Sequence, residues 1–280
     1  MAYNNFIPEV WVNAIQRDLE RLHVFASDCN RQYEGEVKQM GDSVKILGVG
    51  KPTITTVGSK GFNGLNDPET VEDTSTIMYI DQMSYFNYGV GDIDKLQAVG
   101  GIMEALSAET SEGLADEQDK FIASLAGRKE AVRLNSTVTQ LTKDNILEMF
   151  DKALQKLYEN DVKRSTKIVI DISPAVETIF KQAYIAKDTD NSDLLANGAN
   201  YKYGGAYIKV SNNLLRTTES SKTIENIMVR TQRAIAYACP KIHVEPYRPE
   251  KDFKDAVKGF ALYGAKIVRP KEMIILNGYV

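Results

Sequence analysis

The stretch that most limits what this chain can become runs from Tyr33 to Asp81. Val44 and Ile46, then Ile54 and Val57, alternate with polar residues, and Ile77 to Ile80 is another β-prone run. Between these runs lies Gly58-Ser59-Lys60-Gly61-Phe62-Asn63-Gly64, followed by Asn66-Asp67-Pro68-Glu69 and the polar run Thr70 to Ser75. The pattern predicts long β arms meeting at a flexible glycine tip that carries Phe62. Such a stretch buries little of itself, and a compact domain rarely carries one that long without a use for it. It is either a lid over the chain's own surface or a segment that lies on another molecule. Long β arms favour the second, because unpaired strand edges invite pairing with another chain.

Around this stretch the periodicity switches to helical. After Phe6, Ile7, Pro8 and Glu9, the residues Val10, Trp11, Ala14, Ile15, Leu19, Leu22 and Val24 recur at helical spacing, with Pro8 suited to the first turn. Trp11 reads equally as an anchor in the protein's own core or as part of an arm packed on a neighbouring subunit. Tyr85, Phe86, Tyr88 and Val90 form an aromatic strand, with Phe86, Tyr88 and Val90 on one face. From Ile93 to about Leu125 the apolar positions Leu96, Val99, Met103, Leu106, Leu114, Phe121, Ile122 and Leu125 predict a long helix. Gly100, Gly101 and Gly113 interrupt it, so it is expected to be bent or locally loosened and to depend on packing.

A second unit begins near Ser136. Thr142 is placed to cap a helix reaching about Asn160, with Ile146, Phe150, Leu154 and Leu157 inward. Lys167 to Ile172 reads as an alternating strand, and Ser173-Pro174 as a helix start with the helix reaching about Ala186. Lys187 to Gly205 reads as a surface loop. Further strands are expected at Ala206 to Val210, near Ile227 to Gln232, at Lys241 to Tyr247, at Val257 to Val268 and at Met273 to Leu276. The class is α+β, with two intermixed lobes and a long spine helix.

The chemistry is sparse. A chain of 280 residues, 43% hydrophobic and 26% charged, suits one large domain or two modest ones. Lys plus Arg number 34 against 38 for Asp plus Glu, and no basic arm stands out, which argues against a charge-neutralising grip on nucleic acid. Cys29, Cys239, His23 and His243 have no metal-ligand spacing. No apolar run approaches the roughly 18 residues of a membrane helix, and the amino terminus lacks the layout of a secretory signal, so the chain reads as soluble and intracellular. On that reading the sequon Asn135-Ser136-Thr137 is fortuitous.

Gly48-Val49-Gly50-Lys51-Pro52-Thr53 fails as a phosphate loop, because Lys45 stands where its first glycine is required and Pro52 removes an amide donor. Asp188, Asp190 and Asp193 lack the glycine and terminal glutamate of a calcium loop. Asp92 and Asp94 are either paired catalytic carboxylates or caps at the start of the spine helix. There is no G-x-S-x-G elbow, both histidines read as packing residues, and Cys29 reads as inert. No catalytic, cofactor-binding or metal-binding residue is assigned, and this poverty points to a binding or structural role.

The order of short motifs carries a more specific signal. Phe6-Ile7-Pro8-Glu9-Val10-Trp11, Asn30 to Glu36, Gly41 to Ile46, Ile80-Asp81-Gln82 with Tyr85-Phe86, and Gly91 to Asp94 before the long helix resemble the opening of tailed-bacteriophage major capsid proteins. So do His243 to Arg248, Phe253, Val257-Lys258-Gly259, Tyr263 to Lys266 and Val268-Arg269-Pro270 at the other end. The chain resembles a coat protein with the Hong Kong 97-type fold.

That resemblance implies an amino-terminal arm (1–32), an extended loop (33–81), a peripheral domain with the spine helix (82–135) and an axial domain (136–240). Returning strands of the peripheral domain (241–280) would follow, the last one possibly axial. It implies assembly contacts at the loop tip, Gly58, Lys60 and Phe62, and on the arm, Phe6, Ile7 and Trp11. It further implies self-association as pentamers and hexamers, a separate scaffolding protein, a portal protein and enclosed double-stranded DNA bound without sequence specificity. No cofactor or membrane partner is implied, and the location is the virion, assembled in a bacterial cytoplasm. Lys60 is placed as the lysine of the Lys–Asn cross-link that some members form, but neither the acceptor Asn nor an activating Glu is identifiable. A protein-cage compartment of the same fold, and a hydrolase using Asp92 and Asp94, are the alternative readings.

Overall fold

A computed structural model of the chain describes residues 15, 18, 19, 22–34, 41–49, 54, 56, 73–91, 102–135, 137–185, 202–219, 221–250 and 254–280. In chain order its elements are β1 (Ser43–Val49), β2 (Asp73–Tyr79), β3 (Gln82–Gly91), α1 (Ile102–Ser124), β4 (Val132–Arg133), β5 (Thr139–Gln140), α2 (Ile146–Glu159) and β6 (Ile168–Ile172). They continue with α3 (Pro174–Ile185), β7 (Lys202–Tyr203), β8 (Ala206–Val210), β9 (Arg216–Glu219), β10 (Lys222–Thr231), β11 (Ile235–Tyr247), β12 (Lys254–Ile267) and β13 (Met273–Tyr279).

The largest core is built on a mixed sheet in the order β4-β13-β10-β6-β8-β7, with β5 also pairing β13 and β9 pairing β10. β6 is buried at all five positions, so the expected alternation is not an inside-outside pattern: the strand lies between β10 and β8 and is covered on both faces. α2 turns Ile146, Phe150, Leu154 and Leu157 into this core, as its spacing predicts. Its start differs from expectation. Asn145, not Thr142, precedes the first helical residue, and the Asn145 side chain accepts the Thr142 amide at 2.9 Å. α3 begins at Pro174 after Ser173 as read from the sequence, and Phe180 meets Phe150 and Tyr203 at ring-centroid distances of 5.8 and 5.9 Å. The expected loop reaching Gly205 ends earlier: β7 and β8 form a hairpin across Gly204 and Gly205, both at positive φ, as a two-residue turn of this kind requires. Residues 186–201 lie outside the described residues.

A second sheet is antiparallel, in the order β11-β12-β3. β11 and β12 run longer than the sequence suggested, and their register shifts between Ala238 and Lys241, around Pro240, which cannot donate to the ladder. β3 alternates as expected, turning Phe86 and Tyr88 inward while Met83 and Tyr85 face out. α1 joins the two cores. Leu114 and Ala115 pack with Val244, Val257 and Ala261 of the second sheet, and Ile122 and Ala123 enter the first core. The helix runs unbroken through Gly113, where an added Cβ would meet nothing within 4 Å, so the loosening expected there is absent. Gly100 and Gly101 lie outside the described residues.

The remaining pair, β1 and β2, forms a separate two-stranded ribbon with seven registered pairs from Ser43–Tyr79 to Val49–Asp73. Val44, Ile46, Met78 and Ile80 are buried against Ala236, Ala238 and Leu262, which seats the ribbon base on β11 and β12. The approach is close: a Cβ on Gly264 would stand 2.3 Å from the Tyr79 carbonyl oxygen, so only glycine fits there. Ile54, expected in the alternating arm, carries no strand assignment and is exposed.

Candidate assembly interface

Two regions of this fold offer more than a packed core. The first is the outer face of the ribbon and of β3. Alternation along β2 buries Met78 and Ile80 and leaves Ile77 and Tyr79 exposed, and β3 exposes Met83 and Tyr85, the latter by 77%. Most of the large exposed apolar side chains among the described residues fall in this one stretch, Ile54 to Tyr85. β3 is an edge strand of ten residues, bonded on one side to β12. Apolar surface gathered on a ribbon and a long sheet edge is the arrangement expected of a protein contact.

The second region is the segment from His23 to Asn30, which precedes the ribbon. It contains a short 3-10 turn, Ala26–Asp28, whose amino end has no cap from its own side chains. Asp119 of α1 supplies one from outside, its carboxylate accepting the amides of Val24, Phe25 and Ala26 at 2.7, 3.2 and 3.0 Å. Lys209 of β8 donates to the Val24 carbonyl and the Ser27 hydroxyl. Arg230 of β10 is fully buried: it pairs with Asp171 of β6 at 2.7 Å and donates to the carbonyls of Asp28 and Phe25. Asp28 in turn sits between Lys167 and Lys209. At the far end the Asn30 amide donates to the Ile235 carbonyl, and the Tyr237 amide donates to the Asn30 carbonyl.

The electrostatics follow from burial and pairing. Burial works to raise the Asp28 carboxyl, but the bonds and charges of Lys167 and Lys209 outweigh it and hold the group below the usual carboxylate range. Burial pushes Asp171 up against the pull of Arg230. Burial likewise raises the Cys29 and Cys239 thiols to about 11 each, so the inertness expected of Cys29 follows from its desolvation. His23 is a buried packing residue, its Nε2 2.8 Å from Gln118 Oε1. His243 is different: it lies exposed on β11 with its ring against Phe260.

The sequence-derived assembly residues Gly58, Lys60, Phe62, Phe6, Ile7 and Trp11 all lie outside the described residues, as do Asp92, Asp94, Asp188, Asp190 and Asp193. Of the amino-terminal helical pattern, Ile15, Leu19, Leu22 and Val24 are described: Ile15 and Leu19 are buried in this chain's own small core beside Leu114 and Val257, whereas Leu22 is exposed and Val24 is half-buried against the largest core. Among the described residues no cluster of three or more His, Cys, Asp or Glu is placed to hold a metal, and no helix is long and apolar enough to cross a membrane.

Sequence reasoning missed Asp119 and Arg230. The available signal was a polar residue in register with a buried stripe: Ser111, Leu114, Ala115, Gln118, Asp119, Ile122 and Ala123 share one face of α1. Asp171 is likewise a charged residue in an otherwise apolar strand, and Arg230 follows the apolar run Ile227-Met228-Val229 of β10. The β6–β10 register sets them diagonally on adjacent strands, where they pair.

No protein-family model and no curated protein matches this sequence. Solved structures do match. A chain from Mycobacterium phage Che8 is 26% identical, with 90% of each chain covered and a TM-score of 0.73. The capsid of Cyanophage P-SCSP1u is 15% identical over 92% of this chain and 86% of its own, with a TM-score of 0.71. A virus-like particle from Pyrococcus furiosus is 12% identical over 96% and 98%, with a TM-score of 0.59. The chain has the capsid fold of tailed bacteriophages, the α+β Hong Kong 97-type fold that its sequence motifs resemble.

Proposed function

We propose that this protein is the major capsid protein of a tailed phage, a subunit that self-assembles as pentamers and hexamers into an icosahedral head around double-stranded DNA. The observation that carries the reading is the fold likeness to phage capsids over about nine-tenths of the chain. The apolar outer face of the ribbon and β3 supports it, since in a shell that face would be covered by neighbouring copies. In this reading residues 1–32 are the arm, 33–81 the extended loop, 82–135 the peripheral domain, 136–240 the axial domain and 241–280 the returning strands. The pairing of β13 with β10 in the larger sheet supports grouping the last strand with the axial domain. The loop tip, with Gly58, Lys60 and Phe62, and the arm residues Phe6, Ile7 and Trp11 make the contacts between subunits. A scaffolding protein guides assembly, a portal protein occupies one vertex, and the head is built in the bacterial cytoplasm.

A second reading, the shell of a protein-cage compartment, is favoured by the likeness to the Pyrococcus furiosus virus-like particle. Negative-stain electron microscopy with light scattering, on the protein alone and with its candidate scaffold, tests both. Closed shells or rings of five and six are expected. A monomer under both conditions would overturn either reading. Genes for portal and terminase beside this one would select the phage head, and an enzyme cargo with a docking tail would select the cage. Deleting Gly58 to Gly64 is expected to leave the subunit folded by circular dichroism while impairing shell formation.

A further inference from the structure

We propose that residues 23–30 act as a pin, locking α1 to both sheets and insulating them from displacement of the chain before Leu22. Three observations carry this. The segment is held by groups from every body it touches: Asp119 of α1, Lys209 and Arg230 of the larger sheet, and the main chain of β11 in the smaller one. The grip falls largely on the main chain, on the amides of Val24, Phe25 and Ala26 and the carbonyls of Val24, Phe25 and Asp28, and the side chains of Ser27 and Asp28 add bonds to Lys209 and Lys167.

Two of the gripping groups are also deeply buried, while Lys209 is half-buried. Asp119 is 1% exposed and Arg230 0%. Withdrawing the segment would strand the Asp119 carboxylate and leave Arg230 with Asp171, and an unpaired buried charge costs more than the bond it lost. The segment therefore stays docked as long as the core is folded.

Upstream residues are held by different physics. Ile15 and Leu19 belong to a small apolar cluster with Leu114, Ala115, Val244, Val257 and Ala261, and none of the buried charges that grip residues 23–30 is part of it. Displacing Ile15 and Leu19 costs apolar contact and the one bond from the His23 amide to the Leu19 carbonyl, and breaks none of the bonds to Asp119, Lys209 or Arg230. The boundary between a displaceable end and a fixed body thus falls between Leu19 and His23.

Hydrogen exchange read by mass spectrometry on the full-length chain tests the pin through two variants. Leu19→Asp, which dislodges the upstream cluster, is expected to leave the amides of Val24, Phe25 and Ala26 within about threefold of their parent rates. Asp119→Asn is expected to speed exchange of those three amides by about 10- to 100-fold while β6 and β10 keep their protection. The proposal is overturned if Leu19→Asp releases the three amides as well. It is equally overturned if Asp119→Asn leaves them unchanged, or frees them only together with β10. Should Asp119→Asn not fold, Lys209→Gln, which removes the donor to the Val24 carbonyl and leaves Asp119 in place, is read by the same criteria.

Discussion

The eight-stranded sheet and the β1–β2 ribbon are both made of β-branched and apolar residues, yet they use them in opposite ways. In the sheet, β6 is buried at every position and β10 is buried from Ile224 to Thr231, because helices and neighbouring strands of the same chain cover both faces. In the ribbon, only alternate residues are covered. Val44, Ile46, Met78 and Ile80 go inward and Lys45, Ile77 and Tyr79 stay out. A body that satisfies itself on both faces is specified by its own chain. A ribbon whose outer face keeps an exposed isoleucine and tyrosine is specified on one side only, and in the proposed shell the other side is covered by a neighbouring copy.

The sharpest way to break the contrast between the buried body and the exposed outer face, which continues from the ribbon onto β3, is to truncate an aromatic ring on each. Phe150→Ala, in the body, is expected to lower stability by about 3–5 kcal/mol in urea unfolding, because the ring is fully enclosed by Phe180, Tyr203 and the sheet. Tyr85→Ala, on β3, is expected to shift it by less than about 0.5 kcal/mol. Equal losses would mean that β3 is part of the self-sufficient core.

Gly264→Ala probes the seam between the ribbon and β12, a strand of the three-stranded sheet it rests on. The new methyl would collide with the Tyr79 carbonyl and crowd Ile80, so a loss of about 1–3 kcal/mol is expected. Hydrogen exchange should quicken in β2 and not in β10. Faster exchange throughout would show that the ribbon base and the sheet unfold as one.

Acid separates them further, because the body is tied by buried charges. The folded Asp28 carboxyl lies below the usual aspartate range, so its contribution is present above that range and is lost as the pH falls through it. The stability gap between the parent and Asp28→Asn should be constant from pH 7 to 5 and close in stronger acid. A gap that persisted there would mean that Lys167 and Lys209 do not hold the carboxylate. The smallest effect on the isolated subunit is expected of Tyr79→Ser with Tyr85→Ser, within about 0.5 kcal/mol of the parent. The same pair should reduce shell yield by light scattering, and an unchanged yield would remove this face from the interface.

Local signals in the chain mark several elements directly. Ser173-Pro174 marks the start of α3 because a hydroxyl before a proline is itself a helix-start signal, and Ala206 to Val210 is β8 to the residue. The start of α2 was misplaced by one turn. Thr142 and Asn145 are both good caps by type, and the choice between them depends on where the chain arrives from β5. The half-exposed pattern of β1 and β3 is legible in their alternation, whereas the double burial of β6 is not, since nothing in six residues reports how many faces will be covered.

The sequence by itself determined the α+β class, the order of the main elements, the long helix and the strands of the ribbon, because each is written in spacing, turn chemistry or short ordered motifs. Only the tertiary structure decided the junction. Asp119 reads along the chain as one more polar residue on a helix, and Arg230 as one more polar residue on a mixed strand. Their roles exist only because Asp28, Asp171, Lys209 and the main chain of residues 24–28 are brought to them from distant parts of the chain. A buried charge is tolerable only once its partners are in place, so its meaning lies in the packing and not in its neighbours along the chain.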